Sequence, residues 1–223
     1  MQSLTEVAYK TILNDILKLK LLPGEKVQDK VLMEQLNISR TPVREAILQL
    51  KNNGLMMTVP QSGTYVTKIS LGSALNARFV RQSVERSVVS EAAEKMSKVN
   101  ILDSRTIIQK QQLADEAHSA VDFFYLDNDF HKSFYTATNR LQVWNWLKNL
   151  SLQLDRYRFL RVQQADMPLD ELIKQHNAIL DAVEAKDRKE AETRAFDHLN
   201  LMLAEKDELV KQFPDYFIEE ANH

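Results

Sequence analysis

Only four glycines occur in 223 residues, Gly24, Gly54, Gly63 and Gly72, and the last 151 positions contain none. Glycine supplies the left-handed backbone that tight reversals and hairpins need. Any strands with sharp turns therefore belong to the first third, and the remainder reads as helices joined by short polar links. Charge divides at the same place. Residues 1–72 carry 9 Lys+Arg and 6 Asp+Glu, net +3, and the rest carries 20 and 25, net −5. The expected organisation is a small basic module over 1–70 and a larger, acidic, all-helical one over 71–223. At 44% hydrophobic the chain can bury a core. Zero Cys excludes a disulfide framework, a thiolate zinc site and an iron–sulfur cluster. It also fits a reducing compartment. No run of 18 apolar residues offers a membrane span. The opening MQSLTEVAYK carries charge where a signal peptide needs an apolar core. A cytoplasmic protein with no membrane partner is expected.

In the basic module, Val7, Ile12, Ile16 and Leu17 recur at helical spacing and predict a helix over 4–20. Leu21-Leu22-Pro23-Gly24-Glu25 stops it. Val31, Leu32, Leu36 and Ile38 carry the apolar face of a second helix over 28–36, with Asn37 as its left-handed end. Thr41 followed by Pro42 predicts the start of a third helix, capped by the hydroxyl. Val43, Ile47, Leu48 and Leu50 would be its buried face, and Asn52-Asn53-Gly54 its end. Such helices form a helix-turn-helix, in which the tip of the last helix enters the major groove. Arg40 and Arg44, four apart near that tip, could reach phosphate or guanine. Leu55–Val59 and Thr64–Thr67 flank a turn, Pro60-Gln61-Ser62-Gly63, and predict a two-stranded wing. Gly63 would let the wing backbone approach DNA closely. A winged helix that binds protein instead is the blander alternative.

The stretch LLPGEKVQDKVLMEQLNISRTPVREAILQLKNNGLMMTVPQSGTYV resembles the winged-helix domain of GntR-family bacterial transcription regulators, with SRTPVREA its most specific segment. The resemblance implies DNA contacts at Lys30 in the second helix, at Ser39, Arg40, Thr41 and Arg44 in the turn and recognition helix, and at Gly63 in the wing. Lys30 stands where several members carry Arg. A lysine is a point charge without a bidentate fork, so phosphate contact suits it better than base readout.

Residues 73–212 predict helices near 73–98, 101–117, 120–138, 141–161, 169–185 and 188–212, packed as an antiparallel bundle. Pro168, after the polar stretch from Gln163 to Met167, would open the fifth. Asp187-Arg188-Lys189-Glu190 reads as a cap for the sixth. Bundles can hold metal, so the five histidines invite that test. His223 is terminal, and His118 in DEAHSA reads as a surface residue. Asp127 and His131 are four apart and share a helix face, whereas Asp129 faces elsewhere. His176 lies beside a core-like pattern and His198 late in the last helix. Each histidine alone is as readily a surface or hydrogen-bonded core side chain, and spacing cannot show that three helices converge. Trp144, Trp146, Phe123 and Phe124 read as core or dimer packing. Arg156 and Arg158 are candidate anion contacts.

This region resembles the ligand-binding domain of the FadR subgroup, the FCD domain, through Arg81-x-x-x-Glu85, Asp127 with His131, Asn139 after the third helix, His176 and His198. The resemblance implies that Asp127, His131, His176 and His198 hold a divalent ion. Zn²⁺, Ni²⁺ and Mn²⁺ all suit one carboxylate and three imidazoles. It also implies that Arg81 meets an effector carboxylate, with Asn139 nearby. Arg81 could equally pair with Glu85 on the helix. The expected protein is a homodimeric regulator, a repressor, that binds a near-palindromic double-stranded operator and answers to a small organic acid. Two other readings stay open: a metal-dependent hydrolytic enzyme, although no HExxH pattern or separate base is evident, and a DNA-binding protein whose metal site is only structural.

Overall fold

A computed structural model describes residues 2–163 and 167–218. The chain forms two compact units. Among the described residues, one comprises 2–71 together with 210–218, and the other lies between Gly72 and Leu209.

The first unit orders α1 (Leu4–Leu17), β1 (Lys26–Val27), α2 (Asp29–Leu36), α3 (Arg40–Asn52), β2 (Met56–Val59) and β3 (Gly63–Val66). Ala8, Ile12 and Ile16 bury one side of α1, and Val43, Ala46, Ile47 and Leu50 one side of α3. These two faces, with Leu32, Leu55 and Val66, make the unit's core. Asn37 takes the left-handed conformation at the end of α2, φ 52°, as its side chain tolerates. The sheet has three antiparallel strands in the order β1-β3-β2, not two. β1 pairs Lys26 with Tyr65 and Val27 with Thr64. Two residues are too short for periodicity to reveal. Helix α3 starts at Arg40 with Ser39 in the cap position, each two residues before the predicted start at Pro42 and cap at Thr41. Pro42 therefore sits at the third helical position, where no intrahelical N–H bond is required. Val31 and Leu48, read as buried, are exposed. The predicted helical module ran to residue 223, but residues 210–218 group with this first unit. There Ile69 donates to the Tyr216 carbonyl at 2.7 Å and Ile218 donates to that of Ile69 at 3.0 Å, with Phe217 buried.

The second unit is helical: α4 (Leu71–Lys95), α5 (Lys98–Glu116), α6 (Ala120–Ala137), α7 (Leu141–Leu150), α8 (Leu152–Gln163), α9 (Asp170–Glu184) and α10 (Arg188–Gln212). Helix α6 packs against α5, α7 and α8, and α5 also against α9. Phe123, Phe130, Phe134 and Tyr135 from α6 are fully buried at the centre of the core. Ser97 caps α5 through a reciprocal bond with Asn100, and Asp187 caps α10 by accepting from the Glu190 N–H at 3.0 Å. The single helix predicted over 141–161 is two. Ser151 departs from helical geometry, and Asp155 restarts the ladder by donating to the Ser151 carbonyl at 2.7 Å. Neither Gly nor Pro marks this break. Trp144, Phe123 and Phe124 are core, whereas Trp146 is exposed. His118 is exposed and left-handed, ending α5. His223, and the part of the polar stretch before Pro168 that covers 164–166, lie outside the described residues. No helix of the described residues is long and apolar enough to cross a membrane.

Candidate functional site

The first unit presents its candidate DNA contacts outward. Ser39, Arg40, Thr41 and Arg44 are exposed at the first turns of α3. There the unsatisfied N–H groups and the helix dipole favour an anion. Arg44 directs Nε to Asp29 Oδ2 of α2 at 3.0 Å, which fixes the guanidinium and leaves its outer edge to solvent. Lys30, one residue on from Asp29, is exposed and only loosely paired with Glu34 at 3.8 Å. Gly63 adopts φ +137°, a backbone that side chains resist. A Cβ there would stand 2.9 Å from Lys26 Cε. Lys26, which sequence reasoning did not single out, thus lies over the wing glycine because β1 pairs with β3.

The second unit gathers its polar residues inside. The i, i+4 spacing on α4 aligns Arg81 with Glu85, and on α6 it aligns Asp127 with His131. His176 of α9 and His198 of α10 meet them. All six are buried. The donor nitrogens of the three imidazoles lie within 4.8 Å of one another. His131 Nε2 and His198 Nε2 are 3.3 Å apart. Asp127 Oδ1 stands 3.4 Å from His176 Nε2 and 3.9 Å from His131 Nε2.

Each ring is fixed from behind. The Glu85 carboxylate faces His131 Nδ1. Amide oxygens of Gln111 and Gln175 face His176 Nδ1 and His198 Nδ1, both at 2.9 Å. An imidazole that donates from Nδ1 to the acceptor behind it keeps its Nε2 lone pair free for a cation, and the Nε2 atoms of the three rings face one spot. His176 Nε2 is buried without a hydrogen bond. Burial pushes the His176 imidazole down to about 3, against the pull of Asp127, and also lowers His198. Neutral rings with convergent lone pairs are what a cation needs. Burial would raise the carboxyls of Asp127 and Glu85. The opposing guanidiniums outweigh it and hold both below the usual range: Arg158 beside Asp127 and Arg81 beside Glu85.

Asp127 Oδ2 is taken by Arg158, which also donates to Asp155 Oδ1 at 2.8 Å and Asn128 Oδ1 at 3.1 Å. Oδ1 is left for the cage. Arg81 donates Nε to Glu85 Oε2 at 2.8 Å, while its Nη2 is buried and unpaired. A cavity of about 70 Å³ opens beside the cage, lined by Arg81, Asp127, His131, Arg158 and His198 among others. One water needs roughly 10–15 Å³ on that measure, so there is room for a small organic molecule.

Sequence reasoning named Asp127, His131, His176, His198, Arg81 and Arg158, and the structure brings them to one place. It does not bring Asn139 or Arg156 there. Asn139 is exposed and left-handed, φ 58°, where it closes α6. Arg156 is two residues from Arg158 and so faces another side of α8, buried, with Nη1 3.3 Å from Gln153 Oε1. Gln111 and Gln175 were missed, because nothing in their local sequence marks them as acceptors for distant histidines.

Comparison with known proteins agrees with both units. The family described as bacterial regulatory proteins, gntR family, matches residues 4–66, and the FCD domain matches residues 77–201. The HTH-type transcriptional repressor RspR of Escherichia coli (strain K12) is 30% identical over 98% of this chain and 96% of its own. A probable D-xylose utilization operon transcriptional repressor of Paenarthrobacter nicotinovorans is 27% identical over 84% and 82%. The solved structure of E. coli McbR/YncC shares the fold at TM-score 0.79 and 23% identity, covering 96% of this chain and all of that one. These families and relatives are transcriptional regulators and not enzymes. The chain belongs to the GntR family of bacterial regulatory proteins and is a transcriptional regulator with an FCD domain.

Proposed function

We propose that this regulator is a cytoplasmic repressor whose helical unit holds a divalent metal ion on Asp127, His131, His176 and His198 and receives a small carboxylate beside it. Arg81 and Arg158 orient that acid. Two copies bind a near-palindromic operator through Ser39, Arg40, Thr41, Arg44, Lys30 and Gly63, since a two-fold protein matches two-fold DNA. The observation that carries the sensing half is the convergence of three Nε2 atoms and Asp127 Oδ1, with the Nδ1 atoms of His176 and His198 bonded from behind by Gln111 and Gln175. The ion would supply Lewis acidity and open coordination positions for the acid. The unpaired Nη2 of Arg81 offers the acid a charge-assisted bond. Effector binding can alter operator affinity only by favouring one conformation of the protein over another.

Repression is supported by the relatives described as repressors. Zn²⁺, Ni²⁺ and Mn²⁺ all fit the donor set. Elemental analysis of the purified protein and of His176→Ala tests the cage: about one ion per chain is expected in the first and little in the second. Full metal content in the variant overturns the ligand set. Titration of carboxylates into the operator complex then separates a sensor from a merely structural site.

A further inference from the structure

We infer that the effector cavity is built for a small dicarboxylate, two acid groups joined by a short methylene chain, an inference that rests on the carboxylate reading above. Arg81 and Arg158 stand beside the cage. Three residues before the one and three after the other, Arg78 on α4 and Arg161 on α8 line the same cavity. One helical turn separates the members of each pair, about 5–6 Å between their Cβ atoms. The cavity therefore has a second cationic end.

That end is built and incompletely satisfied. Arg161 is buried and grips the Glu205 carboxylate with Nε at 3.0 Å and Nη2 at 2.8 Å, while its Nη1 has no hydrogen-bond partner. Arg78 is also buried. Its Nη1 meets only neutral acceptors, Gln82 Oε1 at 3.1 Å, Asn200 Oδ1 at 3.2 Å and the Leu199 carbonyl at 3.4 Å, and its Nε has none. Leaving a buried charged donor unpaired is costly, and a bound carboxylate would satisfy it. The walls include Tyr157 and the apolar Leu154, Val162, Leu199 and Met202. The apolar side chains welcome methylene groups.

Charge points the same way. Arg81 is matched by Glu85, Arg158 by Asp127 and Asp155, and Arg161 by Glu205. Among the described residues Arg78 forms no salt bridge. With a divalent ion in the cage the cavity carries excess positive charge, and a second carboxylate offsets more of it than a single one can.

The test uses the full-length, metal-loaded protein and isothermal titration with carbon-matched pairs: succinate against butyrate, glutarate against valerate, adipate against hexanoate. At least one diacid should bind about tenfold tighter or more than its monoacid. In Arg161→Met that ratio should fall to near one, with metal content and monoacid affinity retained. Glu205→Gln, which frees Arg161 without removing it, should keep or sharpen the preference, so the idea stays testable if Arg161→Met fails to fold. Equal binding of diacids and monoacids overturns this inference alone, as does a preference that survives Arg161→Met. Tighter binding of tartrate than of succinate overturns the methylene chain. Binding of neither class overturns the carboxylate reading and this inference with it.

Discussion

Glu85 coordinates nothing in the arrangement described above, yet it governs a ligand. It lies between Arg81 and the Nδ1 side of His131, where a carboxylate favours a proton on Nδ1, away from the cage. Glu85→Gln keeps the side chain's size and removes that charge, so the metal affinity of the cage should fall about 10–100-fold, measured by competition with a chelating dye. Unchanged affinity would mean that Glu85 serves only Arg81. On the DNA side, Arg44 and Lys30 are expected to differ in kind. Arg44 is pre-set by Asp29, and Arg44→Ala should weaken operator binding by ~1–3 kcal/mol and relax specificity. Lys30→Ala should weaken all sequences alike and lower the salt slope by about one. Gel-shift titrations at several salt concentrations distinguish the two. Spacing put Asp127 and His131 on one helix face, but only the resemblance to the FCD domain marked them, with His176 and His198, as candidate ligands. Gln111 and Gln175 were not legible, since their partners lie 65 and 23 residues away.

Among the elements, what the sequence conveyed was periodicity and punctuation. Asp187 was legible as the cap of α10, whereas Ser97, which caps α5, was not: the expected helix over 73–98 ran through it and the next was placed from 101, while α4 ends at Lys95 and α5 starts at Lys98. What it concealed was structure without punctuation. β1 is two residues long and exists only because β3 supplies its partner. The break between α7 and α8 falls at Ser151, with Lys148 bridging it to the buried Asp155. Tertiary pairing set both, and local propensity could not report either. The break matters for the site, because it starts the helix that carries Arg158 and Arg161. Capping, by contrast, makes a local prediction. Ser97 accepts from the Asn100 N–H at 3.2 Å, and the Ser97 N–H donates to Asn100 Oδ1 at 3.0 Å. Ser97→Ala should cost about 0.5–2 kcal/mol, read as a lower urea midpoint with an unchanged slope.

For the whole molecule, the cage ties together three helices that the chain visits far apart, α6 at His131, α9 at His176 and α10 at His198. Without a cation, Nε2 lone pairs and a carboxylate oxygen face one another in a buried space. An ion bound there belongs to the folded state, because the unfolded chain does not assemble the donors. It should therefore stabilise by mass action, about 2.7 kcal/mol at a free concentration 100 times the dissociation constant. A chain of this size gains roughly 2–4 °C per kcal/mol, so Tm should rise by about 5–10 °C when Zn²⁺, Ni²⁺ or Mn²⁺ is added to stripped protein. Differential scanning fluorimetry checks this, and a chelator should reverse it. In His176→Ala the shift should shrink to little or nothing, while binding of operator by the winged-helix unit persists, because all its candidate contacts are residues of that unit. An equal shift in the variant would place the stabilising ion elsewhere in the protein and leave the convergence of imidazoles as packing alone.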